Sequence, residues 1–186
     1  MKFAKLALVV CMSVAGMNSA LAAGPSGDAP TGVDQGHGQI TFTGSIIDAP
    51  CSISPESQDQ TVPLGEISSA ALKDGGTSTA VPFTIDLDNC DTSGLTDKTV
   101  SVTFTGAASD VGTNLLALNG DAKGAGIGIK DVAGNDIVLG TATDPQNVND
   151  SNNQLHFSAF LQGDNASGAI IPGGFTSVAQ FTLAYN

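Results

Sequence analysis

The feature that most constrains the fold is a β-strand pattern near each end of the chain, with a cysteine following the first. From Gly38 to Ile46 the even positions read Gly, Ile, Phe, Gly, Ile, and the odd positions are all polar. Because side chains alternate between the two faces of a strand, this period predicts a half-buried strand with one apolar face. The last candidate strand, residues 175–186, alternates in the same way, and the chain stops with it.

Between these ends the chain repeats short alternating segments separated by turn residues. Strands are predicted at 61–67, 81–88, 99–105, 125–130, 137–139 and 155–161, with the proline in the first of these favouring an edge position. One helical turn is predicted at 68–73, and Asn119-Gly120 predicts a tight turn. Roughly eight short strands without a long helix indicate one all-β domain, a β-sandwich of the immunoglobulin type.

The first residues predict an export signal rather than part of the fold. A short cationic start precedes an apolar run from Leu6 to Met17, and Ala20-Leu21-Ala22 fits a cleavage site between Ala22 and Ala23. The run is too short to anchor the chain in a membrane as a helix. We therefore expect a signal peptide at 1–22, a flexible extension rich in Gly and Pro at 23–38, and the folded domain at 39–186.

Two cysteines, Cys51 and Cys90, remain once the signal peptide is removed. An even pair in an exported protein predicts a disulfide. Zinc is the other use of such residues, but no neighbouring Cys or His supplies the ligand spacing of a zinc site.

The charge of the chain excludes partners that carry many phosphates. The whole chain has a formal charge of −12 and no arginine. Loss of Lys2 and Lys5 with the signal would leave four lysines against 18 carboxylates, a charge of −14. Nucleic acids and anionic lipid surfaces both require basic residues, so neither is an expected partner.

The sequence offers little that resembles a catalytic or metal site. His37 lies in the glycine-rich extension and His156 on the outward side of a strand, and neither has an evident nucleophile partner. The glycines near residue 126 do not form a phosphate-binding motif, and Gly126-Ile127-Gly128 predicts a strand approached closely by another backbone. We predict no catalytic residue, no metal and no cofactor.

Several of these segments resemble the chaperone–usher pilins, the subunits of bacterial fimbriae. The resemblance rests on Ile40 to Ile53, on Ile85 to Cys90, on Gly126 to Ile129 with Asp131 and Gly134, and on the end Phe181 to Asn186. It is closest to the major shaft subunits of P and mannose-resistant fimbriae.

The resemblance implies an incomplete immunoglobulin-like sandwich that lacks its C-terminal strand and is completed in trans by a donor strand. It implies a Cys51–Cys90 disulfide and export through the periplasm to the surface fimbrium. The implied partners are other pilin subunits, a periplasmic chaperone and an outer-membrane usher. The residues implied for the donor strand are Gly36, Gly38, Ile40, Phe42 and Gly44. Those implied for the chaperone-binding terminal strand are Phe181, Leu183 and Tyr185.

Three other functions are compatible with parts of this pattern. A minor adaptor or terminator subunit of the same fimbria would share nearly every motif. A tip carbohydrate-binding module is disfavoured because the chain has no Trp and one Tyr, and no room for a second domain. A secreted β-sandwich enzyme is disfavoured by the lack of catalytic residues.

Overall fold

The computed structural model describes residues 36–165 and 170–186. It divides the chain into two units, Met1–Ser45 and Ile46–Asn186. The predicted signal peptide, its cleavage site and residues 23–35 of the predicted extension lie outside the described residues. No helix of the described part is long and apolar enough to cross a membrane.

The second unit is built from strands. They are β1 (Ser52–Ile53), β2 (Val81–Cys90), β3 (Thr99–Gly106), β4 (Leu116–Ala117), β5 (Asn119–Gly120), β6 (Ala125–Lys130), β7 (Gln146–Asn147), β8 (Ser151–Gly163), β9 (Phe175–Thr176) and β10 (Ala179–Tyr185). The helical parts are α1 (Pro55–Gln58) and a 3-10 turn at Lys73–Gly75, just after the predicted helical turn.

These strands form an incomplete immunoglobulin-like β-sandwich, as predicted. One sheet has the order β1-β2-β8-β6-β4 and the other the order β10-β3-β7, while β5 pairs with β9. Every ladder is antiparallel. Alternate residues of β2, β3 and β8 point into the space between the sheets, which explains why the period-2 patterns located these three strands correctly.

Four phenylalanine rings join the two sheets at the centre of the core. The ring of Phe104, on β3, lies 5.0 Å from that of Phe157 and 6.3 Å from that of Phe83, both in the five-stranded sheet. Phe181 of β10 lies 6.4 Å from Phe104. Each well-oriented aromatic pair stabilises a fold by about 0.5–1.5 kcal/mol beyond its area burial, so this cluster holds the two sheets together.

The predicted disulfide between Cys51 and Cys90 is present, and both residues are buried. It links the start of the domain to the end of β2. The backbone N–H of Asp91 also donates to the carbonyl of Pro50 at 2.9 Å. The disulfide therefore fixes the point at which the chain enters the sandwich. We call this end of the domain the disulfide end.

Glycines in β6 allow two large side chains to lie flat on the outer face of the sheet. A Cβ at Gly128 would lie 2.3 Å from the ring of Phe160, and one at Gly126 would lie 2.8 Å from Cβ of Leu115. Both covering side chains are buried, at 3% and 7% exposure. The prediction of close packing at these glycines is confirmed, but side chains rather than another backbone make the approach.

Three local predictions are wrong. Asn119-Gly120 is not a hairpin turn but strand β5, paired with Phe175–Thr176 far along the chain. Residues 61–67 form no strand, although Val62 and Leu64 are half-buried between exposed neighbours. Residues 137–139 cross between sheets instead of returning along one. There the N–H of Ile137 donates to Ile129 and that of Gly140 donates to Phe104.

The most informative correction concerns the stretch from Gly38 to Ile46. It was predicted as a half-buried strand, but it has no regular secondary structure and its residues are exposed. An alternating pattern creates an apolar face, whereas burial requires a sheet edge for that face to join. A single copy of the chain leaves this face in water.

Candidate functional site

The candidate site is a groove beside the last strand, β10. This strand pairs with β3 through seven consecutive residues, from Ala179 opposite Gly106 to Tyr185 opposite Val100. It stands at the end of its sheet, so among the described strands its other edge has no partner. An unpaired edge of this length offers a row of N–H and C=O groups to another chain.

The side chains of β10 that face the core are only half-buried. They are the three residues assigned to the terminal strand from the sequence: Phe181, Leu183 and Tyr185. Residues of β3 opposite them, such as Val100 and Val102, are fully buried. The difference in burial arises because β3 has a neighbouring strand on each side, whereas β10 has a neighbouring strand on one side only.

Next to β10 an open groove of about 1430 Å³ runs into the sandwich. Its floor is apolar and comes mostly from the five-stranded sheet: Phe83, Ile85, Ile127, Ile129, Ala159 and Leu161. One wall is β10 with the residues before it. The opposite wall is the segment 57–67, where Val62, Leu64 and Ile67 are half-buried. A groove with an apolar floor between two extended walls is shaped for one more strand.

The wall at 57–67 is fixed to the edge of β2 by side chains. Ser57 Oγ accepts from the backbone N–H of Asp86 at 2.9 Å, and Gln60 Nε2 donates to the carbonyl of Thr84 at 3.0 Å. These bonds hold residues 57–60 against the five-stranded sheet. Residues 61–67 continue without a ladder and line the groove.

The Tyr185 side chain carries a polar atom, its hydroxyl oxygen, at the end of β10. This atom is buried and has no hydrogen-bond partner in the structure. Burial raises the pKa of the Tyr185 phenol above its ordinary value, because the phenolate would be poorly solvated there. The group therefore stays neutral at physiological pH.

The residues assigned to the donor strand lie on an exposed segment. Gly36, Gly38 and Gly44 are exposed, as are Ile40 at 77% and Phe42 at 88%. Ile46 is in phase with them and fully exposed at 103%. The donor set assigned from the sequence ends at Gly44, and Ile46 continues the same period of two.

The histidines and acidic side chains of the described residues form no metal or catalytic cluster. In the described residues no group of three or more His, Cys, Asp or Glu side chains could hold a metal. His37 and His156 are both exposed. The features that remain to be explained are an open apolar groove, an unpaired strand edge and an exposed apolar segment.

A protein-family model described as "Fimbrial protein" matches residues 40–186. The chain belongs to the fimbrial protein family. This fimbrial protein is 60% identical over 152 residues to the Fimbria A protein of Serratia marcescens, which covers 82% of this chain and 86% of the relative. It is 51% identical over 187 residues to the major MR/P fimbria protein of Proteus mirabilis (strain HI4320), covering 100% and 99% of the two chains.

Solved pilus structures have the same fold as this fimbrial protein. A chain from a chaperone–usher pilus matches with a TM-score of 0.73 at 36% identity, covering 85% of this chain and 100% of that one. The P pilus rod subunit matches with a TM-score of 0.67 at 33% identity, covering 74% and 100%. The fimbrial protein is a structural subunit of a surface pilus and not an enzyme.

Proposed function

We propose that the chain is a rod subunit that polymerises by donor-strand exchange. In this reaction residues 36–46 of one copy insert into the groove beside β10 of the next copy. The observation that carries the proposal is the presence, in one chain, of both halves of a strand-addition interface. The groove has an apolar floor and an unpaired edge, and the exposed segment carries an unburied apolar face.

The part of the donor segment that carries the large side chains is as long as β10. Strand β10 has seven residues, and the stretch from Ile40 to Ile46 also has seven, so each extends about 20 Å as a strand. Insertion would bury the side chains of Ile40, Phe42 and Ile46 on the groove floor. Burial of each large apolar side chain contributes about 1.5–3 kcal/mol, and main-chain bonds along β10 add to this.

The small residues of the donor segment would suit shallow parts of the groove. Gly36, Gly38 and Gly44 share the inward face with the apolar residues. A glycine brings the inserted backbone close to the floor without a side chain to accommodate. The polar residues between them would face solvent on the surface of the completed sandwich.

Before assembly the groove and the β10 edge require protection, since an exposed apolar edge strand promotes aggregation. We assign this role to a periplasmic chaperone that adds a strand along β10, covering Phe181, Leu183 and Tyr185. An outer-membrane usher would then exchange the chaperone for the donor segment of another subunit. The match to a chaperone–usher pilus chain supports this route.

The rest of the predicted organisation belongs to the same proposal. A signal peptide at 1–22, cleaved between Ala22 and Ala23, would send the chain to the periplasm, and residues 23–38 would lead into the donor strand. The relatives named as major fimbrial proteins support a rod subunit rather than an adaptor or terminator.

Gel electrophoresis of material sheared from the cell surface tests this proposal. The variant I40D/F42D places two carboxylates on the inward face, and the matched control Q39D/T41D places the same charges on the outward face. Unboiled wild type and control should give a ladder of multimers that boiling converts to monomer, and I40D/F42D should give monomer only. Ladders from all three proteins, or monomer from all three, would contradict donor-strand polymerisation through this segment.

A further inference from the structure

The groove ends in a surface that the inserted strand alone would not cover. This rim lies at the start of β10 and consists of Lys123, Ile171 and Val178, all of which line the groove. Lys123 and Ile171 are joined by two backbone hydrogen bonds of 2.9 and 3.1 Å. Ile171 is 53% exposed and Val178 is 71% exposed, so the rim presents apolar side chains to water.

A second exposed surface lies at the opposite, disulfide end of the same domain. Ile47 is 63% exposed, and Asp48 follows it. Two residues later, Pro50 is held by the N–H of Asp91 at 2.9 Å, next to the disulfide. Ile47 and Asp48 therefore connect the donor segment to a fixed point on the body of the subunit.

The space in the groove determines which way a donor strand fits. Along β10 the groove is lined from Ala179 to Thr182, which is the half of that strand next to the rim. The first inward positions of the donor are glycines 36 and 38, and the last is Ile46. The large side chains of the donor reach this part of the groove only if the donor runs antiparallel to β10, which makes Ile46 the residue nearest the rim.

We propose that Ile47 and Asp48 of the donor copy form a second contact on the rim of the acceptor copy. This inference rests on the donor-strand polymerisation proposed above. Ile47 packs against Ile171 and Val178, and Asp48 pairs with Lys123. The disulfide end of one subunit thus meets the rim end of the next. Such a head-to-tail contact does not close on itself and continues along a filament.

The charges of the chain make this pairing selective. Among the described residues that line the groove, Lys123 is the only cation, alongside Asp59 and Glu66. In a chain with 18 carboxylates and six lysines, a carboxylate next to the donor strand is repelled by most of the surface of another copy. Attraction at Lys123 guides the strand to the correct end of the groove, because rim charges act on orientation and association rate.

A charge exchange tests this contact. The variants are D48K, K123D and the double variant D48K/K123D, which restores both the pair and the net charge. D110K is the matched control, since Asp110 is an exposed loop residue outside the groove lining. The measurement is the half-life of surface-sheared multimers in detergent at a fixed elevated temperature, at low and at high salt.

We expect each single variant to shorten the half-life about twofold to fivefold at low salt. The double variant should recover to within about twofold of wild type, and D110K should not differ from it. High salt should reduce all these differences. A double variant no more stable than either single variant would overturn the Asp48–Lys123 pairing.

The apolar half of the contact has its own test. I47S and V178S should each shorten the multimer half-life about tenfold, the effect expected when part of an aliphatic side chain loses its burial. Urea unfolding of the monomer should be unchanged, since both side chains are exposed there. Unchanged half-lives, with a normal wild-type ladder, would refute the rim contact alone. A wild type without any ladder would instead refute the polymerisation on which it rests.

Discussion

Replacing Phe42 by alanine is expected to weaken the contact between successive subunits without destabilising the subunit itself. The side chain is 88% exposed in the single chain, so its removal leaves no cavity and no unsatisfied group. In the proposed polymer the ring would lie on the groove floor, and nearly all of its surface would leave water. Loss of that burial should cost about 2–3 kcal/mol per junction, or roughly a 30- to 140-fold faster dissociation.

Purified multimers of wild type, F42A and T41A should be diluted into detergent, and the rate of monomer release followed at several temperatures. T41A is the matched control, because Thr41 adjoins Phe42 on the opposite face of the segment. We expect F42A to release monomer at the accelerated rate and T41A to stay within about threefold of wild type. Equal rates for F42A and wild type would refute the idea that the even positions face the groove.

Three further changes probe the subunit alone. Replacing both half-cystines by serine should lower the free energy of unfolding by about 4 kcal/mol, measured with urea, since their separation is 39 residues. G128V should cost about 1–3 kcal/mol through overpacking against Phe160, whereas G94V, where a Cβ meets no atom within 4 Å, should be nearly neutral. Asp150 accepts hydrogen bonds from the hydroxyl and the backbone N–H of Thr92, and these bonds hold the pKa of its carboxyl below the ordinary value. T92V should therefore raise the pKa of Asp150. A carboxyl group whose pKa is lowered on folding stabilises the folded state above about pH 4, and this stabilisation is lost in acid. The urea midpoint of T92V should therefore lie below that of wild type at pH 7 and approach it near pH 2.

Each of these three predictions about the subunit can be contradicted by one result. A double serine variant as stable as the oxidised wild type would contradict the loop-closure estimate. Equal urea midpoints for G128V and G94V would show that the outer face of β6 can rearrange at no cost. An NMR titration with an unchanged Asp150 pKa in T92V would refute the assignment of the shift to that hydroxyl.

The sequence was a good guide wherever a strand has partners on both sides. The alternation in 81–88, 99–105 and 155–161 correctly predicted β2, β3 and β8, because those strands lie in the middle of sheets and bury most of one face. The Cys51–Cys90 disulfide was also predictable, since an exported chain with two cysteines has one way to pair them.

The sequence was a poor guide wherever the outcome depends on which segments meet. Asn119-Gly120 has the composition of a turn, but Phe175–Thr176 lies alongside it and converts it to a strand. The rim of the groove combines Lys123 with Ile171, and no local pattern relates residues so far apart. Pairing between segments far apart in the sequence is a property of the folded sandwich.

Periodicity and cysteine count are properties of the chain, so the all-β class, the disulfide and the two apolar faces near the chain ends follow from the sequence alone. The folded sandwich leaves one of those faces half-buried on β10 and the other exposed on residues 36–46. It also opens the groove beside β10. A strand pattern specifies what a segment can bury, whereas the presence or absence of a neighbouring strand decides whether that burial occurs.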